Sequence, residues 1–273
     1  MSVRVRGPIR NPTYAGRTFL PPRLETCMVH TFEPSPDLLV PPLSPRAELA
    51  ILARALHREG YEEHIAGHLS YKQPDGTLLV NPYHLRWDEV RAKHICRIDL
   101  DGNVLEGDWF VSLAIQLHLE LHRSRDVGVA VHNHPRWGSV WASLKRIPPV
   151  YDQTSPITHG DIALYDDYGT PVADADEAKG VVAALGDRDV ALLANHGVLV
   201  LGDDPGQAYA RAMSLEWRCR MAWHVEAAGG AAPMPAEPAE KLARGIDRRG
   251  YPGLWEAMAR QEIQLDPRVL EED

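Results

Sequence analysis

The run Gly128–His134, GVAVHNH, limits the fold more than any other stretch of the chain. It reads as a buried strand. Because strand side chains alternate, His132 and His134 project from the same face, with Cα atoms roughly 6 to 7 Å apart. One metal ion can bridge that gap. Imidazole suits zinc, iron, nickel and copper, and three protein nitrogens leave positions open for water or substrate. His196, in LLANHGVLV, is the best third ligand, since it follows an apolar run and precedes Gly197, where backbone can approach closely. Two histidines at this spacing also occur as structural or surface pairs, and an isolated Asn-His-Gly says less still.

The rest of the chain must build a scaffold around that strand. Ser44-Pro45 reads as a helix cap followed by a first helical residue, with Leu49, Leu52, Ala53 and Leu56 at helical spacing up to about Gly60. Asp75-Gly76 and Asp101-Gly102 each divide short apolar runs and predict two hairpins. LAIQLHLELHRSR is expected to form a helix with 113, 117 and 121 on one face. Further strands and a helix are expected through ALYDDYG, DEAKGVVAALG and DVALLANHGVLVLG. A long helix is then capped by Asp204 and stopped by Gly229-Gly230. Gly-turned hairpins with interspersed helices argue a mixed sheet covered by helices on both faces. Residues 1–44 hold many prolines among scattered arginines and read as an extended arm, either a disordered tail or a strap lying on its own or a neighbouring subunit. The main domain spans 45–230, and 231–273 reads as a Pro/Ala linker with a short helix around Trp255, Met258 and Ala259.

With 29 basic and 38 acidic residues, the net charge of -9 has the wrong sign for a general nucleic-acid or anionic-membrane binder. There is no run of 18 apolar residues, and MSVRVRGPIRNPTY lacks the apolar segment of a secretion signal. A cytoplasmic protein acting on a small molecule is expected. Cys27, Cys96 and Cys219 are odd in number and widely spaced, which fits neither a disulfide framework nor a Cys-x-x-Cys metal site.

The order of segments, HNHPRWGS after a helix ending HRSRDV and ANHGVLVLG some sixty residues later, resembles the class II aldolase/adducin family over roughly residues 46–228. The resemblance implies an α/β fold, a three-layer α/β/α sandwich with a central mixed, largely antiparallel sheet. It also implies a homotetramer with its site near a subunit boundary. His132, His134 and His196 match the histidines that hold one divalent metal ion per subunit. Zinc is the leading choice, with Fe(II), Mn or Co as alternatives.

The sequence departs from the sugar-phosphate members of that family. Where they carry Gly-Asn-x-Ser, Ser/Thr-Pro-Ser-Gly and Ser-Ser-Glu, this chain has Gly67-His68-Leu69-Ser70, Asn81-Pro82-Tyr83-His84 and Val111-Ser112-Leu113-Ala114. A ring of small donors suited to a phosphate dianion is largely gone. Leu113 or Ala114 stands where the proton-moving Glu would be, and Glu120, two turns onward, reads as a solvated or ion-paired helix residue. Candidate catalytic groups are Tyr151 and His159. Candidate substrate contacts are His68, His84, Arg86 and Gln153; the plainer alternative for Tyr151, His159 and Gln153 is a loop residue satisfying local backbone, for His68 and His84 a plain turn residue, and for Arg86 an exposed arginine. His118, four residues before His122 on one helix, reads as a supporting partner behind the ligands rather than a ligand. Trp137 and Trp141 read as core, or as walls of an aromatic pocket.

The expected function is a metal-dependent carbon–carbon lyase, decarboxylase or aldolase, acting on an unphosphorylated oxo, hydroxy or aromatic carboxylic acid. Decarboxylation suits a site without the Glu, because it needs no base to remove a hydroxyl proton first. Some relatives with this altered pattern look like decarboxylases of dihydroxyphthalate-type acids, and another resembles a non-haem Fe(II) oxygenase of aminocoumarin pathways. The alternatives are therefore such an oxygenase and a non-catalytic, adducin-like assembly module.

Overall fold

The structure is a computed structural model, and it describes residues 40–158, 160, 162–167, 175–249 and 253–273. Most of the N-terminal arm, Cys27 and His159 therefore lie outside the described residues.

Among the described residues eight strands form one sheet: β1 His68–Lys72, β2 Leu78–Val80, β3 Cys96–Ile98, β4 Val104–Glu106, β5 Val129–Asn133, β6 Ile162–Tyr165, β7 Val190–Leu193 and β8 Gly197–Gly202. Their spatial order is β4-β3-β2-β1-β5-β8-β7-β6. Every neighbouring pair is antiparallel except β6 with β7, so the expected mixed, largely antiparallel sheet is present. The two Asp-Gly hairpins join β1 to β2 and β3 to β4.

Among the described residues seven helices flank the sheet: α1 Pro45–Arg58, α2 Gln116–Ser124, α3 Arg136–Leu144, α4 Ala175–Leu185, α5 Pro205–Ala227, α6 Ala236–Arg249 and α7 Leu254–Leu265. On one face Leu69, Val129, Val131, Val198 and Val200 share a core with α1 and α5 residues such as Leu49, Leu52, Leu56, Leu215 and Cys219. On the other, Ala130, Ala191, Leu193, Leu199 and Leu201 pack against Leu117 and Leu121 of α2 and Val181 and Leu185 of α4. Burying each of these large aliphatic side chains contributes roughly 1.5–3 kcal/mol. Alternation along each strand divides the residues between two helical layers, which is the three-layer architecture. β5 and β8 lie near the centre of the sheet, where both ends of the histidine pattern are held by pairing on each side.

The caps follow the sequence reading. Ser44 accepts a hydrogen bond from the Ala47 amide at 3.1 Å, and Asp204 accepts one from Gln207 at 2.8 Å. Three details differ. The segment read as a linker carries α6. Residues 136–144, read only as tryptophans after the ligands, form α3. The predicted face of the helix at 113, 117 and 121 holds at Leu117 and Leu121, but Leu113 is 73% exposed because a 3₁₀ turn over Leu113–Ile115 precedes α2 and rotates it outward.

Candidate metal centre

The site begins with the pairing of β5. His68 of β1 and Leu199 of β8 are the register partners of His132, so the His68 and His132 side chains emerge on one face. His134 lies just beyond the end of β5, and His196 sits in the tight turn Ala194–His196 between β7 and β8, with Asn195 at φ 56°. That turn closes with a hydrogen bond from the His196 amide to the Leu193 carbonyl at 3.0 Å. Two distant pieces of chain thus bring three imidazoles together. One ligating nitrogen from each of His132, His134 and His196 lies within 4.8 Å of the others. Their ring centroids are 5.3, 4.8 and 4.7 Å apart.

Two of the rings are held by the nitrogen that faces away from the cluster. His132 donates Nδ1–H to the Val198 carbonyl at 2.9 Å. His134 donates Nδ1–H to the carboxylate of Glu63. In a neutral imidazole that leaves Nε2 as a lone pair, and the Nε2 of His134 is buried with no partner among the described residues. An outer acceptor on the distal nitrogen is how ligating histidines are normally oriented. Burial, reinforced by the neighbouring imidazoles, pushes His132 well below the usual histidine range. The same causes bring His196 down to about 4. Neutral rings are the form that binds a metal. The donor set therefore fits a borderline divalent ion such as zinc, whose bonds to imidazole are about 2.0–2.1 Å long. Glu63→Gln is expected to weaken zinc binding by about 10–100-fold, read by competition with a chromophoric chelator.

Gly197 makes this convergence geometrically feasible. A Cβ built there would lie 2.4 Å from the Asn133 carbonyl oxygen and 2.6 Å from Cδ2 of His134. Only hydrogen at that position lets the start of β8 close against the end of β5.

α5 braces the same region from outside the sheet. Glu216 accepts hydrogen bonds from the Trp137 and Gly138 amides at 2.7 and 2.8 Å, capping the start of α3 immediately after the ligand loop. Burial pushes the Glu216 carboxyl up to about 7, against the opposing pull of those two amides. Ser214, Trp217 and Arg218 of α5 bind the loop that carries Tyr151 and Gln153, through the Thr154 carbonyl at 2.9 Å, Asp152 at 3.1 Å and the Pro148 carbonyl at 2.8 Å. Tyr151 is half-buried against the main core, and Gln153 is exposed.

The remaining sequence candidates are distributed unevenly. His68 is buried beside the triad, its ring stacked on that of His132 with centroids 5.9 Å apart. His84 is exposed and packs against Tyr83 and Phe110. Arg86 is engaged within its own turn, on Asp88 at 2.8 Å and Glu89 at 3.6 Å. His118 does not hold a ligand ring: it binds Ser70 at 2.7 Å and stands behind His68, while the Val198 carbonyl and Glu63 take the supporting role. Trp141 is core, and Trp137 is partly buried against it. Glu63, Ser70 and Glu216 were not singled out from the sequence. Glu63 sits in an ordinary acidic loop, and nothing local announces its partner seventy residues on.

His118 and His122 also make the fold sensitive to acid. Burial brings His122 down to about 4 and His118 well below the usual range. The unfolded chain takes up these protons near pH 6.5, whereas the folded chain resists them until about pH 4 or lower. Stability is thus full above pH 6.5 and declines as the pH falls towards 4. Denaturant melts at pH 7.5 and pH 5 are expected to differ by about 2 kcal/mol for each such histidine.

Comparison with known proteins agrees with this architecture. The family model described as Class II Aldolase and Adducin N-terminal domain matches residues 47–223. An adducin-related protein of Schizosaccharomyces pombe is 33% identical over 179 residues, covering 60% of this chain and 53% of the relative, so the chain matches about half of that protein's length. A 3,4-dihydroxyphthalate decarboxylase of Arthrobacter keyseri is 30% identical over 200 residues, covering 68% of this chain and 80% of the relative. Among solved structures, an L-fuculose 1-phosphate aldolase from Glaciozyma antarctica shares the fold with a TM-score of 0.75 at 23% identity, covering 86% of this chain and 98% of that one. With the sheet, the helical layers and the matched span in agreement, the chain belongs to the class II aldolase and adducin N-terminal domain family.

Proposed function

We propose that this protein is a metal-dependent carbon–carbon lyase acting on an unphosphorylated hydroxy, oxo or aromatic carboxylic acid, with decarboxylation as the favoured reaction. The observation that carries the reading is the convergence of three imidazoles, two of them oriented from behind by Val198 and Glu63. A scaffold has no need of such a set. His132, His134 and His196 would hold one divalent ion, zinc in the first instance. When bound, the ion supplies Lewis acidity to a carbonyl or phenolic oxygen, stabilising negative charge that develops as a carbon–carbon bond breaks.

The chain's own residues favour loss of CO₂ over retro-aldol cleavage. Retro-aldol chemistry requires a base for a hydroxyl proton. The cluster contains no carboxylate among the described residues, and Glu63 is committed to the far side of His134. Leu113 or Ala114 stands at the place where the family resemblance puts a proton-moving Glu, and neither side chain can move a proton. Decarboxylation asks only that a proton be returned to carbon, a role we assign to Tyr151 or His159. His68 is the substrate contact best supported by position, with Gln153, His84 and Arg86 as outer candidates. Its imidazole cannot reproduce a phosphate cradle, which supports an unphosphorylated ligand. The nature of the named decarboxylase relative from Arthrobacter keyseri points the same way.

The test is a panel of hydroxy, oxo and aromatic acids incubated with zinc-, manganese- or Fe(II)-loaded protein, with CO₂ and carbonyl products measured. Release that disappears with a chelator and returns with the metal supports the lyase. Oxygen uptake with iron that zinc cannot replace moves the assignment to an oxygenase, and no turnover with any metal overturns it.

A further inference from the structure

Behind the triad lies a second set of polar groups that metal binding leaves unexplained. His118 and His122 sit one helical turn apart on α2, facing Ser70 of β1. The Ser70 hydroxyl lies 2.7 Å from His118 Nδ1 and 2.8 Å from His122 Nε2, and His122 Nδ1 lies 3.1 Å from the Val127 carbonyl. His118 is fully buried, and His68 and His122 are 8% and 4% exposed. Within this set, three buried nitrogens have no hydrogen-bond partner among the described residues: Nε2 of His118 and both nitrogens of His68.

The direction of every bond in this set is dictated from one end. A carbonyl only accepts, so His122 carries its proton on Nδ1. Burial keeps His122 neutral near pH 7, and its Nε2 is therefore a lone pair that accepts from the Ser70 hydroxyl. Ser70 has then used its proton, and its oxygen accepts from His118 Nδ1–H. His118 is neutral for the same reason, which leaves its Nε2 as a bare acceptor. The next polar group is His68, edge-on to His118 with ring centroids 6.0 Å apart and planes at 78°. That separation allows two ring nitrogens to approach to roughly 3.7 Å, within about an ångström of a hydrogen bond. A small ring movement joins them.

We propose that Val127, His122, Ser70 and His118 form a one-way hydrogen-bond chain that turns the N–H of His68 towards α2 and its bare nitrogen towards the metal triad, making His68 an acceptor for a hydroxyl-bearing ligand. The role of His68 rests on the metal reading above; the chain behind it does not. The His68 ring is stacked on that of His132 with centroids 5.9 Å apart, and the proposed role requires that a molecule held by the three ligands reach its bare nitrogen. An acceptor in that position favours a 2-hydroxy acid or a catechol over the corresponding oxo acid, whose oxygen has no proton to give. His118, Ser70 and His122 are positioning residues, and they keep His68 in one tautomer.

The test uses the full-length, zinc-loaded protein with ¹⁵N-labelled histidine. Two-bond proton–nitrogen correlation spectra are expected to show His118 and His122 protonated on Nδ1, the less common tautomer of free imidazole. In Ser70→Ala, His118 is expected to revert to Nε2–H, and Ser70→Thr, which keeps the hydroxyl, is expected to restore Nδ1–H. Lactate and pyruvate serve as probes that differ only in hydroxyl against oxo. The ratio of their affinities is expected to fall about tenfold in Ser70→Ala and in His68→Phe, with zinc content unchanged. Nε2–H on His118 in the unaltered protein overturns the chain. Correct tautomers with an unmoved lactate-to-pyruvate ratio in both variants overturn the role of His68. Failure of the protein to bind zinc removes the metal reading and with it the role of His68, whereas the tautomers, which need no ion, still decide the chain.

Discussion

Replacing His132 by alanine is expected to remove the bound ion and to destabilise the fold at the same time. His132 is a ligand candidate on a central strand, 4% exposed, and its Nδ1–H reaches across the β5–β8 pair to the Val198 carbonyl. Truncation leaves a cavity between strands and removes a buried donor, which together cost about 2–4 kcal/mol. The effect on metal affinity should exceed the roughly 10–100-fold expected for loss of an outer partner such as Glu63, because a direct bond is lost. Denaturant titration and zinc competition read the two effects separately. A variant with wild-type stability would show that His132 is not held as the structure places it.

Gly197→Ala is expected to be nearly as severe without touching a ligand. The new methyl group would meet the Asn133 carbonyl at 2.4 Å and the His134 ring at 2.6 Å. Neither neighbour can yield easily, since the first is backbone paired with β8 and the second is anchored by Glu63. The start of β8 must move outward, carrying His196 with it. Overpacking of this kind costs about 3 kcal/mol. Zinc affinity is expected to fall at least tenfold through the displaced rings. Alanine is otherwise compatible with a strand, so a small effect on both measurements would place the Gly197 backbone elsewhere.

The parts of the molecule that could be read from sequence are those set by local pattern. Ser44-Pro45 and Asp204 marked helix starts because capping is a matter of adjacent atoms. Asp75-Gly76 and Asp101-Gly102 marked turns for the same reason. His132 and His134 could be paired by the twofold period of a strand, and His196 was offered as the third by the apolar run before it and the glycine after it, a weak local signal that the order of segments across the family strengthened. What escaped was set by distance in the chain. Glu63 reaches His134 across 71 residues, and Glu216 caps α3 from 78 and 79 residues away. No local signal distinguishes either from a surface acid. The helix α6 was missed because few apolar residues mark it, and Leu113 was placed on the wrong side because a 3₁₀ turn does not follow the 100° step of the helix after it.

His134 offers the cleanest test of the centre as a whole, since it lies past the end of β5 and is only half-buried, so its removal leaves the sheet intact. Elemental analysis of the purified protein and of His134→Ala, side by side, measures the claim on which the functional proposal stands. One divalent ion per chain in the unaltered protein and none in a folded His134→Ala variant is the result expected. Full retention of the metal by that variant would contradict a site built on His132, His134 and His196.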